Sequence, residues 1–226
     1  MAKKKTGGKM KAASKTAASA APPAEPESAR VRAANAERDL LAAFAAFSTF
    51  NRHGGPSAIQ LTSFHAGDLC AADRDEIAAL FELNMRAQYE ASDWGVDAAA
   101  KREELFEPAA RYIVARDSAT NELAGFAHFR FVVDDGADVL YVFELQVAPA
   151  LQRRGLGKFL MQLLLLVARR ADMELVVLTV FKTNHAALAF YRTKLGFEVD
   201  ETSPSACGDS SQSYEILSRA VTKPSK

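Results

Sequence analysis

The amino-acid sequence predicts a mixed α/β domain in which helices cover one central sheet, and three features predict it. Runs 111–116, 123–133 and 138–147 read as consecutive strands. They are joined by Asp117-Ser118-Ala119-Thr120-Asn121 and Asp134-Asp135-Gly136, both rich in turn-formers, which makes an antiparallel meander. A helix from Gly155 to about Ala171 follows, with Leu156, Leu160, Leu163, Leu164 and Val167 on one stripe. A wholly apolar strand, Leu175 to Phe181, then leads through a helix from Asn184 to Leu195 into a strand starting at Phe197. Meander, helix, strand, helix, strand is a layered α/β arrangement.

The other elements follow in chain order. Residues 1–28 are Lys, Ala, Ser and Pro with almost no large apolar side chain. They cannot bury enough surface to offset their ordering entropy and are expected to form a disordered basic tail. The lysine cluster reads equally as a nuclear address, a weak contact with an anionic surface, or a solvated tail. Residues 29–48 carry Leu40, Leu41, Phe44 and Phe47 at helical spacing, an amphipathic helix that must dock; 29–57 is this helix with its linker. Residues 58–64 alternate as a strand and open a domain expected over 58–219. Asp73 and Asp75 begin a helix whose Ile77, Leu80, Phe81 and Met85 share a face, and Gly95 can end it. A short helix around 97–106 precedes the meander; a loop at 202–211, a strand at 213–218 and a tail at 220–226 close the chain. No internal repeat is present.

With 226 residues, 49% hydrophobic and 25% charged, the chain suits one ordinary domain with appendages or two small ones. Collagen-like, coiled-coil and wholly disordered classes are excluded. The longest apolar stretches fall far short of ~18 residues, so no membrane span is expected. Two cysteines, Cys70 and Cys207, make neither a disulfide framework nor a four-ligand zinc site, and a reducing compartment is the default. The basic N-terminus has no apolar core behind it, which argues against a secretory signal. The net charge of zero hides a polarity: residues 29–222 hold twenty basic and twenty-six acidic side chains, a balance of −6. Such a body binds nucleic acid poorly and attracts a cationic partner such as a basic peptide; the same charge also serves ordinary solubility. His53, His65, His128 and His185 share no metal spacing, no G-x-S-x-G elbow occurs, and neither cysteine is paired with a nearby histidine.

The most informative run is Gln152-Arg153-Arg154-Gly155-Leu156-Gly157-Lys158, between a strand and a helix. Its glycines let backbone approach a ligand, and the unpaired N–H groups of the helix start, with three cations beside them, suit a pyrophosphate. The spacing is neither a Walker loop nor a Rossmann fingerprint. A glycine-softened helix start with solvated arginines is the alternative.

The strand Leu140 to Val147, then Ala148-Pro149 and R-R-G-x-G opening an apolar helix, resembles the coenzyme A loop of the GNAT superfamily of N-acetyltransferases. Leu178-Thr179-Val180-Phe181 leading to Asn184, Ala189-Phe190-Tyr191 and Leu195-Gly196-Phe197 agree with it, and the likeness covers roughly 58–219. Five further segments resemble the N-alpha-acetyltransferase D (NatD) family: Tyr89 to Gly95, His128 to Phe131, Val139 to Tyr141, Leu178 to Lys182 and Ser213 to Arg219. That family acetylates the N-terminal serine of histone H4 and histone H2A.

The resemblance implies the GNAT fold, a central mostly antiparallel sheet flanked by helices, with an extra N-terminal helix. It implies acetyl-CoA as co-substrate and no metal. Coenzyme contacts would fall on Leu145, Gln146, Val147, Arg153, Arg154, Gly155, Leu156, Gly157, Lys158 and Asn184. Peptide contacts would fall on Tyr89, Trp94, Asp134, Tyr141, Thr179, Tyr214 and Thr202 or Ser203. Glu144 would be the general base. Two positions depart from the family: Val132 stands where an acid is expected, and Phe143, which cannot relay a proton, where a second tyrosine is expected. The implied partner is a basic, histone-like N-terminal peptide, with no direct nucleic-acid or membrane contact, and a monomer in nucleus and cytoplasm.

The residues suit this chemistry by themselves. An N-terminal amine, with pKa about 7.7–8.0, must lose one proton before attack. Glu144 lies mid-strand among apolar neighbours, so facing a cleft it would gain basicity by desolvation; on a wet sheet face it would not. The N–H of Val147 is placed for a developing oxyanion. Tyr191 is placed to protonate the leaving thiolate, and Tyr141 is a second candidate for proton handling. Acceptors other than a histone N-terminus, a lysine side chain, or a non-catalytic coenzyme-binding role remain alternatives.

Overall fold

The computed structural model describes residues 26–51 and 58–221. The lysine-rich tail through residue 25, the 52–57 linker and residues 222–226 lie outside the described residues, and with them the nuclear-address reading.

Eight strands form one sheet: β1 (Thr49–Asn51), β2 (Ala58–His65), β3 (Arg111–Asp117), β4 (Leu123–Asp134), β5 (Ala137–Val147), β6 (Leu175–Phe181), β7 (Glu198–Val199) and β8 (Tyr214–Ala220). Their order is β1-β2-β3-β4-β5-β6-β8-β7. Every pair is antiparallel except β5 with β6, whose parallel pairing requires a crossover. Helix α4 (Leu156–Arg170) makes it. The other helices are α1 (Ala29–Ala36), α2 (Ala71–Glu90), α3 (Ala98–Leu105) and α5 (His185–Leu188), the last continued by a π-helical turn at Ala189–Lys194.

Alternation along the strands builds the two larger of three apolar clusters among the described residues, one on each face of the sheet. Ile113, Ala115, Ala127 and Phe129 pack with α1 and α4, whereas Tyr112, Val114 and Phe126 pack with Ile77, Leu80 and Phe81 of α2 and Leu105 of α3. The predicted meander and mixed α/β layering are therefore observed.

The N-terminal helix is shorter than its apolar spacing predicts. It stops at Ala36, and the Asp39 carboxylate accepts from the Leu41 N–H (2.9 Å) and from Ser63 Oγ (2.8 Å) on β2. That local turn competes successfully with helix. Residues 42–47 form a 3₁₀ turn, and Thr49–Asn51 pairs with β2 as an edge strand. The strand expected from Phe197 is only Glu198–Val199, and it lies outside β8 rather than beside β6.

Two departures from regular sheet position the site. Strands β5 and β6 pair only from Val139 opposite Leu175 to Val142 opposite Leu178, after which both continue apart. A bulge leaves Phe143 without a partner, since Glu144 faces His128 while Val142 faces Phe129. Strict alternation would send Glu144 to the face opposite Tyr141. The extra residue turns it onto the α2–α3 side.

Candidate active site

A cavity of about 640 Å³ fills the gap between the splayed strands. One end is walled by Leu151 to Arg153, Gly155, Gly157 and Lys158, with Asn184 and Tyr191; the other by Tyr89, Trp94, Lys101, Glu104 and Glu144. The walls thus come from α2, α3, the two strands and both flanking helix starts.

At the first end, Arg153 (φ 61°) and Gly155 (φ 96°) are both left-handed, which wraps the loop back before the helix. Gly155 is the cap residue of α4 and offers no side-chain acceptor, so the leading N–H groups of the helix stay open. A Cβ on Gly157 would meet Val147 Cγ2 at 3.7 Å and Phe190 Cζ at 3.8 Å, both ordinary contacts. The protein's own packing does not demand glycine there. The Asn184 side chain caps α5 through the Ala187 N–H (3.1 Å). The Ala148 N–H donates to the Ala124 carbonyl on β4 (2.9 Å), so by alternation the Val147 N–H points to the opposite, gap-facing edge. On that edge the Val147 carbonyl accepts from Asn84 Nδ2 and Gln152 Nε2, each at 3.1 Å.

The other end holds a buried charge group. Glu144, 6% exposed, receives Lys101 Nζ at 2.7 Å on one oxygen and Gln146 Nε2 at 2.8 Å on the other. Lys101 also pairs with Glu104 and lies beneath Phe81 (4.9 Å) and Tyr89 (5.8 Å). Helix α3 brings these residues in: Asp97 caps its start, and the Tyr112 hydroxyl and Arg130 Nη2 donate to the carbonyls of Leu105 and Glu104 at its end. Burial pushes the Glu144 carboxyl above its ordinary range, with Lys101 opposing. Burial also works against the Lys101 ammonium, but Glu144, Tyr89 and Glu104 outweigh it and hold it protonated. The Tyr89 phenol is pushed up to about 12, by burial first and then by Glu144. Burial likewise raises Tyr141 and Tyr191, so both remain proton donors at neutral pH.

An aromatic wall adjoins this end. Trp94 lies edge-on to Phe181 (5.0 Å) and Tyr214 (5.3 Å), and Tyr89 to Phe181 (5.2 Å). The Tyr141 hydroxyl and Thr179 Oγ1 share a hydrogen bond of 2.6 Å across the opening strands.

Of the residues singled out in the sequence, Glu144, Tyr141, Tyr191, Leu145, Gln146, Val147, Arg153, Gly155, Gly157, Lys158, Asn184, Tyr89, Trp94, Phe143 and Thr179 line the cavity. Arg154, Leu156, Val132, Asp134, Thr202 and Tyr214 do not. Leu156 is buried in the α4 core. Val132 packs beside Tyr141 and Val177, and Asp134 ends β4. Thr202 Oγ1 donates to Asp200 (2.6 Å), and Ser203 Oγ to Glu215 (2.6 Å), pinning that loop. Sequence reasoning missed Lys101 and Glu104. No local signal marks them, since a lysine with a glutamate three residues on reads as an ordinary exposed helix pair.

Comparison with known proteins agrees with this architecture. The acetyltransferase (GNAT) family profile matches residues 75–197. A mycothiol acetyltransferase from Tsukamurella paurometabola is 34% identical over 119 residues, covering 50% of this chain and 40% of that protein, so the chain spans less than half of the relative's length. An acetyltransferase from Streptococcus agalactiae superposes with a TM-score of 0.56 at 13% identity, covering 72% of this chain and 98% of that one. The PaiA N-acetyltransferase from Thermoplasma acidophilum, solved in complex with coenzyme A, gives 0.51 at 16% identity over 72% of this chain and 98% of its own. These two likenesses concern the fold. With the family profile matched over more than half its length, the chain belongs to the acetyltransferase (GNAT) family.

Proposed function

We propose that this chain transfers an acetyl group from acetyl-CoA to the α-amine of a basic, serine-first protein N-terminus, of the kind that begins histone H4 and histone H2A. The observation that carries the reading is Glu144: a buried carboxylate of raised proton affinity in the same cavity as the open helix start. A general base and an anion cradle thus face one space.

The residues fit acetyl-CoA. The uncapped N–H groups of α4, with Arg153 and Lys158 beside them, suit a pyrophosphate. The protein's own packing does not require glycine at position 157, where a Cβ would make only ordinary contacts, which is consistent with a backbone approached by a ligand. In the reaction, the α-amine passes a proton to Glu144, directly or through a water, and its nitrogen bonds to the thioester carbonyl carbon. The Val147 N–H faces the oxygen where negative charge develops. As the carbon–sulfur bond breaks, Tyr191 supplies a proton to the leaving thiolate; Tyr191 then regains a proton from solvent and Glu144 releases its own, which restores both groups. No enzyme-bound acetyl group is required.

Support for the acceptor is the wall of Tyr89, Trp94, Tyr141, Phe143 and Thr179, whose large rings narrow that part of the cavity and suit a small first residue. Asp134 lies close enough to Tyr141 to act on its charge, and Tyr214 extends the aromatic wall, so a chain leaving the cavity meets acid and aromatic side chains. Val132 packs behind Tyr141, and Ser203 is buried and bonded to Glu215, so of the loop residues only the partly exposed Thr202 is open to a passing peptide. Nuclear and cytoplasmic residence as a monomer belongs to the same reading.

The mycothiol acetyltransferase likeness favours a second reading, a small-molecule amine as acceptor. Thiol release from acetyl-CoA, measured with Ser-Gly-Arg-Gly-Lys peptides and with small primary amines, separates the two. The proposal expects peptide kcat/KM to dominate and to fall with salt, since exposed charge pairs are screened over ~8–10 Å. Equal or greater turnover of small amines, insensitive to salt, favours the second reading.

A further inference from the structure

Glu144 is one member of a three-charge group whose other two members come from α3. Lys101 Nζ is 2.7 Å from Glu144 and also contacts Glu104, and their side chains are 6% (Glu144), 13% (Lys101) and 18% (Glu104) exposed. We propose that Lys101, locked by Glu104, is the positioning residue that holds Glu144 as the proton acceptor, which makes α3 a working part of the site.

The physical case rests on the count of charges. A buried Lys–Glu pair is neutral, and a proton added to it leaves an uncompensated buried cation, which is expensive. With Glu104 as third member the group carries one net negative charge, and the added proton neutralises it. The geometry decides where that proton goes. Lys101 is held by two carboxylates and roofed by the Phe81 and Tyr89 rings, so it keeps its own protons. Glu144 sits at the bulge, its carboxylate on the cavity wall. Lys101 also fixes the direction of that carboxylate, since Gln146 on the opposite oxygen is itself tied to Asn84 (3.0 Å).

The surrounding groups do not replace this role. Tyr89 from α2, Tyr112 from β3, Tyr141 on β5 and Tyr191 beyond α5 are all held as neutral phenols, by burial first. His128 on β4, opposite Glu144, is kept neutral by burial and then by Arg130 and Lys101, and both its ring nitrogens lack partners. Arg130 is committed to Glu107 and to the Glu104 carbonyl. That leaves Glu144 as the proton acceptor of the group, its proton affinity raised first by burial, lowered by Lys101 and raised by Glu104.

The inference rests on Glu144 as base, and its test is chosen to stand apart from acceptor identity. The side-chain carboxyl of Glu144 is titrated by carbon-13 NMR in the full chain, assigned by its loss in Glu144→Gln, alongside the acid limb of kcat/KM. Lys101→Met should move both midpoints up by about one unit or more, a tenfold change in proton affinity. Glu104→Gln should move them down, because it removes a repelling charge, and Lys101→Arg should restore the wild-type midpoint to within about half a unit. Unmoved midpoints in Lys101→Met with a lowered kcat would make Lys101 a structural lysine and overturn the proposal. If Lys101→Met fails to fold, an unmoved or raised midpoint in Glu104→Gln overturns it as well. A wild-type chain without transferase activity would remove the function proposed above, while the NMR midpoints still decide the role of Lys101.

Discussion

Replacing Glu144 by Gln keeps the side-chain shape and removes the base. Its structural cost can be worked from the contacts. The carboxylate accepts from two donors, Lys101 Nζ at 2.7 Å and Gln146 Nε2 at 2.8 Å. An amide offers one oxygen, so either orientation sets a donor against a donor. Gln146 cannot flip to help without losing Asn84 Nδ2 (3.0 Å). One hydrogen bond is lost, about 1 kcal/mol, or roughly 2–4 °C in Tm for a chain of this size. Lys101 keeps Glu104 and is not stranded. Loss of general-base catalysis should cost far more, ~10²–10⁴-fold in kcat, equivalent to about 3–5 kcal/mol of barrier. The assay is thiol release from acetyl-CoA across pH beside thermal melting, with coenzyme affinity expected to hold. A kcat within a few-fold of wild type and an unchanged acid limb would refute the assignment of Glu144 as base.

Other perturbations separate the site from its frame. Gly157→Ala should raise KM for acetyl-CoA by obstructing backbone approach while leaving Tm nearly unchanged, because a Cβ there meets only ordinary contacts; unchanged coenzyme affinity by calorimetry would contradict the cradle. Gly125→Ala should do the reverse, since its Cβ would lie 2.6 Å from the Gln146 carbonyl oxygen, and a loss of about 1–3 kcal/mol should appear as a lowered Tm. Burial raises the Asp73 carboxyl, but hydrogen bonds from Cys70 and Arg116 (2.6 Å) outweigh it, leaving the folded-state pKa below the unfolded one. That stabilisation is present above the unfolded value of about 3.9 and is lost as pH falls through the folded one, so Arg116→Met should flatten the Tm decline below about pH 4.

The meander and α4 were legible because their periodicities of two and 3.6 are carried by many consecutive apolar residues. The start of α4 after Gly155 was legible because a glycine ahead of apolar residues at helical spacing has a local physical meaning. Strands of three and two residues, β1 and β7, carry no period to read, and the turn at Asp39 is made by a contact with Ser63 on another strand. The bulge at Phe143 is invisible in a run of apolar residues, yet it sets the direction of Glu144. Lys101 within Ala98 to Leu105 reads as an ordinary surface lysine with Glu104 three residues on. Only the docking of α3 on β3 and β4 takes it out of water.

The central claim is acetyl transfer to an N-terminal α-amine. Intact-mass measurement of Ser-Gly-Arg-Gly-Lys peptides incubated with acetyl-CoA and the chain, with the α-amine either free or blocked, tests it most directly. A single added acetyl group on the free peptide and none on the blocked one is the predicted result. Acetylation of the blocked peptide at the same rate would place the reaction on lysine and contradict the account.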